Sequence, residues 1–296
     1  MRDSLNELLK NTIIFQYTLP TSKIKKTDLS TRDDSCYSAT TDADLSKLIY
    51  NGISEYALGE KHVDLDRLQV FQRKAIKSRL RFNETASDET KLKYGFYGEV
   101  VLDLLLQYVF QSNVLLAKGY FYSPLEGSEP KGYDSYQFLY SEEGLSLILG
   151  EVKFYQSYKE AIKKILDNLE KAASIDYFNK NVTALINEKG NFETCPAEIT
   201  SIIEGWENDP DINLHDEVIE HQIKLYYPML VLFDRLEGTY DDSIEEIVGF
   251  IDNELKARSM KIEMDIDLLF MFLPVNCGKA VKGEVIKWIS QNNPVE

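Results

Sequence analysis

The residues that could do chemistry in this chain sit in one segment, GYDSYQFLYSEEGLSLILGEVKFYQ, from Gly132 to Gln156. Ser141-Glu142-Glu143-Gly144 reads as a turn between two strands. A loop of two or four residues centred on Glu142 and Glu143 places Asp134 directly opposite Glu151. Cross-strand partners share a face, with Cβ atoms about 4.5–5.5 Å apart. Lys153, two positions beyond Glu151, projects from that face as well, because strand side chains alternate. A three-residue loop would instead turn Asp134 to the other face. Two carboxylates and an ammonium are therefore expected together at one end of an apolar strand pair. Like charges set opposite each other destabilise a sheet unless something compensates. A divalent cation is the natural compensator, and two carboxylates with waters and a phosphate suit Mg²⁺, with Mn²⁺ as a substitute. Such an ion polarises a phosphoryl oxygen and acidifies a water. Lys153 could orient or deprotonate that water, or offset transition-state charge. The bland alternative is a plain Glu151–Lys153 or cross-strand ion pair at a solvent edge.

The elements that must hold this group follow from apolar periodicity. A helix is expected over about 43–58, capped by Asp42, a second over 64–82 and a third over 93–111. Strands are expected at 12–19, 114–122, 133–140, 145–155, 226–235 and 268–275, with helices at 157–187, 243–258 and 279–291. From residue 93 to 275 the order is helix, three strands, helix, strand, helix, strand, which describes an α/β fold with a mixed sheet flanked by helices. Residues 1–90 read as a mostly helical N-terminal extension bearing a basic helix, and 91–296 as the core with an acidic insertion near 188–220. Glu99 lies in an apolar helical stretch beside Gly98, which would let that helix approach the sheet closely. Asp103, one turn on, could take its place or be merely exposed.

Charge narrows the function classes. The 296 residues carry 33 Lys+Arg against 49 Asp+Glu, a net charge of −16. Such a chain repels phosphate at long range, so nucleic-acid binding is not what bulk charge suggests. The charge is sorted, however. FQRKAIKSRLRF (71–82) holds Arg73, Lys74, Lys77, Arg79 and Arg81 without an acid, whereas 188–220 holds ten acids and one lysine. The basic run, with Lys159, Lys163 and Lys164 after the Glu151 strand, could track a DNA backbone or could be a solvated face. Cys36, Cys195 and Cys277 and the histidines His62, His215 and His221 have neither disulfide, zinc nor nucleophile spacing. No glycine pattern for a nucleotide appears, so no small-molecule cofactor is expected. No apolar run is long enough for a membrane span and no export signal is evident, so the expected location is the cytoplasm.

Asp134, then Glu151-Val152-Lys153 on the next strand, after a helix carrying Glu99, resembles the PD-(D/E)XK nuclease superfamily, although Tyr133 stands where the motif has proline. That resemblance implies a restriction-endonuclease-like fold and metal binding by Asp134 and Glu151 with Glu99 assisting. It also implies that Lys153 serves the attacking water. The combination FYGEVVLDLLL, GYDSY and LGEVKFYQS in an acidic chain is further similar to the HamA family, the nuclease subunit of the Hachiman anti-phage defence system. This implies a metal-dependent DNA endonuclease or nickase restrained by, and complexed with, a superfamily 2 helicase of the HamB kind. Two rival classes are a non-catalytic acidic module that binds such a helicase and an acidic DNA mimic.

Overall fold

The computed structural model describes residues 5, 9, 15–18, 28–30, 41–59, 63–142, 144–192, 196–208, 212–238 and 240–291. Cys36, His62 and Cys195 lie outside them. The sheet has seven strands: β1 (Phe15–Thr18), β2 (Asp28–Ser30), β3 (Asn113–Val114), β4 (Ser135–Ser141), β5 (Gly144–Phe154), β6 (Lys224–Asp234) and β7 (Asp267–Val275). Their order is β2-β1-β7-β6-β5-β4-β3. β5, β6 and β7 run parallel and the remaining neighbours pair antiparallel. The helices are α1 (Asp42–Leu58), α2 (Leu68–Ser78), α3 (Asp88–Lys91), α4 (Phe96–Val109), α5 (Tyr158–Ala172), α6 (Ile175–Asn187), α7 (Ala197–Asn208), α8 (Leu214–Glu220), α9 (Tyr240–Lys256) and α10 (Gly278–Gln291).

Alternation along the central strands divides the apolar side chains between two cores. Leu147, Leu149, Met229, Val231, Phe233 and Phe270 face α5, α6 and the helices of the acidic region. Ile148, Val152, Leu230, Leu232, Met271 and Leu273 face α1, α4 and α10. The mixed sheet flanked by helices, with a helical N-terminal region, is the fold expected from the apolar pattern. α7 and α8 turn Ile199, Ile203, Trp206, Leu214 and Val218 inward. Glu204, Glu207 and Glu220 stay on the outer face.

The hairpin takes the two-residue loop. Ser141 pairs with Gly144, whose φ of 107° favours glycine, and Ser135 pairs with Gly150. Asp134 lies just before β4, and its N–H donates to the Gly150 carbonyl at 2.8 Å. On the other side of β5 the ladder skips from Ile148↔Tyr226 to Glu151↔Met229, where Pro228 has no N–H to offer.

Four local expectations change. The strand expected over 114–122 stops at Val114, and Lys118–Phe121 form a 3₁₀ turn. Lys118 is drawn inward there, its ammonium donating to the Tyr133 carbonyl. The helix expected over 157–187 breaks at Ala173, because Ser174 caps a new helix by accepting from the Tyr177 N–H at 3.3 Å. The helix expected over 64–82 spans only Leu68–Ser78, so Arg79 and Arg81 lie past its end. Thr41, not Asp42, caps α1. The Asp42 carboxylate instead accepts from the Asn276 and Cys277 N–H groups, both at 2.9 Å, and fixes the start of α10.

α4 approaches β5 as closely as Gly98 permits. A Cβ there would lie 2.8 Å from Val152 Cγ2 and 3.4 Å from its Cγ1, so rotating Val152 gives no relief. Gly98→Val should therefore destabilise the protein by about 1–3 kcal/mol through overpacking, read as a lower urea midpoint with an unchanged slope.

Candidate active site

Asp134 and Glu151 come together as the hairpin register requires, with Lys153 beside them, and all three line one cavity of about 370 Å³. The Asp134 carboxylate accepts from the Val152 N–H at 2.9 Å, which ties it to the strand bearing Glu151. The Lys153 ammonium pairs with Glu151 and donates to the Val152 carbonyl at 3.0 Å. Tyr227 O–H reaches the second Glu151 oxygen at 3.5 Å. The Glu151 side chain keeps 15 % of its exposure and that of Lys153 21 %, so the pair faces the cavity and not open solvent.

Glu99 enters from the α4 side of the sheet. It is buried rather than spread on a helix surface, and Tyr56 on α1 donates to its carboxylate. Asp103 is not exposed. It is buried and accepts from Ser135 Oγ at 3.2 Å and Gln137 Nε2 at 2.7 Å, bolting α4 to β4.

Two further charged residues complete the site and were not singled out in the sequence. Lys118 is 5 % exposed, lines the cavity and interacts electrostatically with Glu99, Asp134 and Glu129. Glu129 lines it too. A lone lysine inside the apolar run LLAKGYFY was the available signal for Lys118, since a buried ammonium requires partners. Glu129 gave no signal, being five positions before Asp134 on an irregular segment.

Burial dominates the electrostatics. Desolvation, reinforced by Asp134, lifts the Glu99 carboxyl to about 8 and the Glu151 carboxyl to about 7. Burial likewise raises Glu129. Burial works against the charged Lys153, but Asp134 and Glu151 outweigh it and hold the amine above its ordinary range. Lys118 is held up similarly, with the Tyr136 ring neighbour and Glu99 as the leading favourable partners.

The predicted basic residues distribute unevenly. Arg73, Lys74, Lys77 and Arg81 are exposed, and Arg79 lies 4.6 Å from the Tyr120 ring centroid. Of the five, Arg81 lines the cavity. Lys159 pairs with Glu246 at 2.9 Å and Lys163 with Glu254 at 3.5 Å, both on α9, while Lys171 at the other end of α5 supplies the cavity wall.

Among the described residues no three His, Cys, Asp or Glu side chains already stand as a metal-ready cluster, each site carboxylate having a protein donor. The oxygen donors of Asp134, Glu151 and Glu99 are nevertheless of the type hard divalent cations take, and a cation would relieve the buried like charge. The family model of HamA matches residues 3–289.

The chain belongs to the HamA family. It is a HamA-like subunit of Hachiman anti-phage defence. No curated protein and no solved structure gave a significant match. No helix among the described residues is long and apolar enough to cross a membrane. The HamA match embraces Glu99, Asp134, Glu151 and Lys153, and also Tyr56 and Lys118 behind them.

Carboxyls that titrate higher in the folded than in the unfolded chain favour folding at low pH, and that advantage fades as pH rises through their folded values. In EDTA the contribution of Glu99 and Glu151 should be complete below about pH 4.5 and lost between there and pH 7–8. Urea unfolding across pH 5–8 should show the decline, and Glu99→Gln should flatten it by about 1 kcal/mol or more.

Proposed function

We propose that this HamA family member is a metal-dependent nuclease that hydrolyses DNA phosphodiester bonds. It would act as endonuclease or nickase and as the effector of a complex with a superfamily 2 helicase of the HamB kind. The observation that carries the reading is Asp134 standing against Glu151 across the β4–β5 hairpin, with Lys153 on the same face and all three on one cavity. A structural ion pair needs one acid and one base; a second, half-buried carboxylate set against the first in register costs stability and calls for a function.

In this reading Asp134 and Glu151 hold Mg²⁺ or Mn²⁺, with Glu99 assisting from the opposite layer. The ion supplies Lewis-acid polarisation of the phosphoryl oxygen. Lys153, kept an ammonium by its two acidic neighbours, serves as hydrogen-bond donor and positive charge beside the attacked phosphate rather than as a base. Lys118 adds a second fixed positive charge, and Tyr56 sets the orientation of Glu99. Arg81 stands at the cavity wall where a backbone phosphate approaches, and Arg73, Lys74, Lys77 and Arg79 extend that basic edge. A net charge of −16 gives the chain little affinity for DNA at a distance, so a helicase partner that brings the DNA accounts for the charge.

The test is cleavage of supercoiled and linear DNA by the purified chain, with Mg²⁺, Mn²⁺ or EDTA, alone and with the helicase and ATP. Metal-dependent cleavage should fall about 100-fold or more in both Glu151→Ala and Lys153→Ala. Anti-phage protection that survives both substitutions would sink the nuclease reading in favour of a non-catalytic acidic module.

A further inference from the structure

A second cavity, of about 380 Å³, adjoins the first. Lys118, Lys131, Gly132, Lys171 and Tyr177 line both, so the two share a wall and form one continuous depression. Their chemistry differs. The first is where the carboxylates meet. The second sets the amines of Lys118, Lys131, Lys171 and Lys180 against one acid, Asp176, which is taken up by Lys180 at 2.7 Å. Among the described residues neither Lys131 nor Lys171 has a carboxylate partner. In a chain of net charge −16, two uncommitted lysines on the rim of one cavity form an anion site of local origin.

The rest of the wall is aromatic. Tyr177 is half-buried, its ring braced edge-on by Tyr133 with centroids 5.2 Å apart, and Lys171 Nζ lies 4.9 Å from its centroid. Phe121 packs on Tyr136 at 5.3 Å, and both line the cavity. The segment of Phe121 was expected to lie in a strand. In the 3₁₀ turn Phe121 is instead free of sheet pairing and faces the hollow. Asn181 Oδ1 accepts from Tyr136 O–H at 2.9 Å, fixing the floor. A residue larger than glycine at 132 would fill the passage, since a Cβ there would lie 2.6 Å from both Asn181 Oδ1 and Tyr136 Oη.

A ligand that pairs an anion with a planar ring fits such a wall, and the ring must be free to leave a base stack. We infer that the second cavity is a subsite for one unpaired nucleotide flanking the scissile phosphate, with its base on Tyr177 and Phe121 and its phosphate on Lys131 and Lys171. The inference rests on the nuclease reading for the identity of the neighbouring site. It selects single-stranded DNA, or a frayed or flapped end, over an intact duplex, because only an exposed base offers a face to the aromatic wall.

The experiment is fluorescence anisotropy of the full chain with a labelled single-stranded oligothymidylate, in EDTA so that no cleavage intervenes, against the duplex of the same length and the same strand carrying an abasic position. The single strand should bind more tightly than the duplex. Tyr177→Leu should weaken single-strand binding about tenfold or more and should erase the difference between the intact and abasic strands. Lys131→Ala, a surface change that leaves packing alone, should lower the slope of log K against log salt by about 0.7. Equal affinity for strand and duplex, unaltered binding by both variants, or no binding to any oligonucleotide would each overturn the subsite. Metal-dependent cleavage by the same protein would then leave the nuclease reading standing, whereas strand binding that follows these variants without any cleavage would fail the nuclease and keep the subsite.

Discussion

The site depends on the register of one hairpin. Asp134 and Glu151 meet because β4 and β5 are joined by two residues, and a slip of one position would turn Asp134 to the other face. Two independent devices hold that register. Apolar alternation sends Tyr136, Phe138, Leu147 and Leu149 into one core, so a slip would turn the pair from one strand out of it. Asp103 accepts from Ser135 and Gln137 on the opposite face, which lets β4 bond α4 in one alignment. The same bonds set the position of Glu99, one helical turn earlier. Asp103 thus helps to fix the distance between Glu99 on α4 and Asp134 at the start of β4.

Bringing carboxylates together out of water is costly, and the surroundings show how the cost is contained. Asp134 has the Val152 N–H as its donor, Glu151 has Lys153 and Tyr227, and Glu99 has Tyr56. Lys118 acts on four acids, Glu99, Glu129, Asp134 and Glu151, from within, its own ammonium anchored on the Tyr133 carbonyl. These arrangements stop short of neutrality, and the raised carboxyls of Glu99, Glu129 and Glu151 record the residue. That unbalanced charge is the ground on which the proposed cation rests.

Much of this was legible because strands obey period two. The pairing of Asp134 with Glu151 needed only the turn signal at 141–144, and the central strands announced themselves as apolar runs. The closeness of α4 was legible from Gly98. Tertiary override hid the rest. LLAKGYFY has strand composition throughout, yet the pairing ends at Val114 because Lys118 is drawn to the Tyr133 carbonyl and the carboxylates beyond it. The break at Ala173–Ser174 rests on a serine cap within a pattern that both flanking helices continue. Lys159 and Lys163 are close to the Glu151 strand in sequence, but α5 carries them to α9, and it is Lys171, further along the chain, that returns to the cavity.

The opposite faces of the sheet divide the labour. The α5–α6 face brings tyrosines and lysines, and with Asp134, Glu151 and Lys153 it forms an open depression that a ligand can enter. The α1–α4 face is packed and apolar, and its contribution is Glu99 alone, braced by Tyr56. Tyr56 and Arg81 come from the first 90 residues, so the N-terminal region reaches the site twice: Tyr56 on α1 braces an acid from behind, and Arg81, just past α2, lines the cavity. Movement of α1 relative to the sheet would withdraw Tyr56 from Glu99 without disturbing the hairpin, because α4 itself is held to β4 through Asp103.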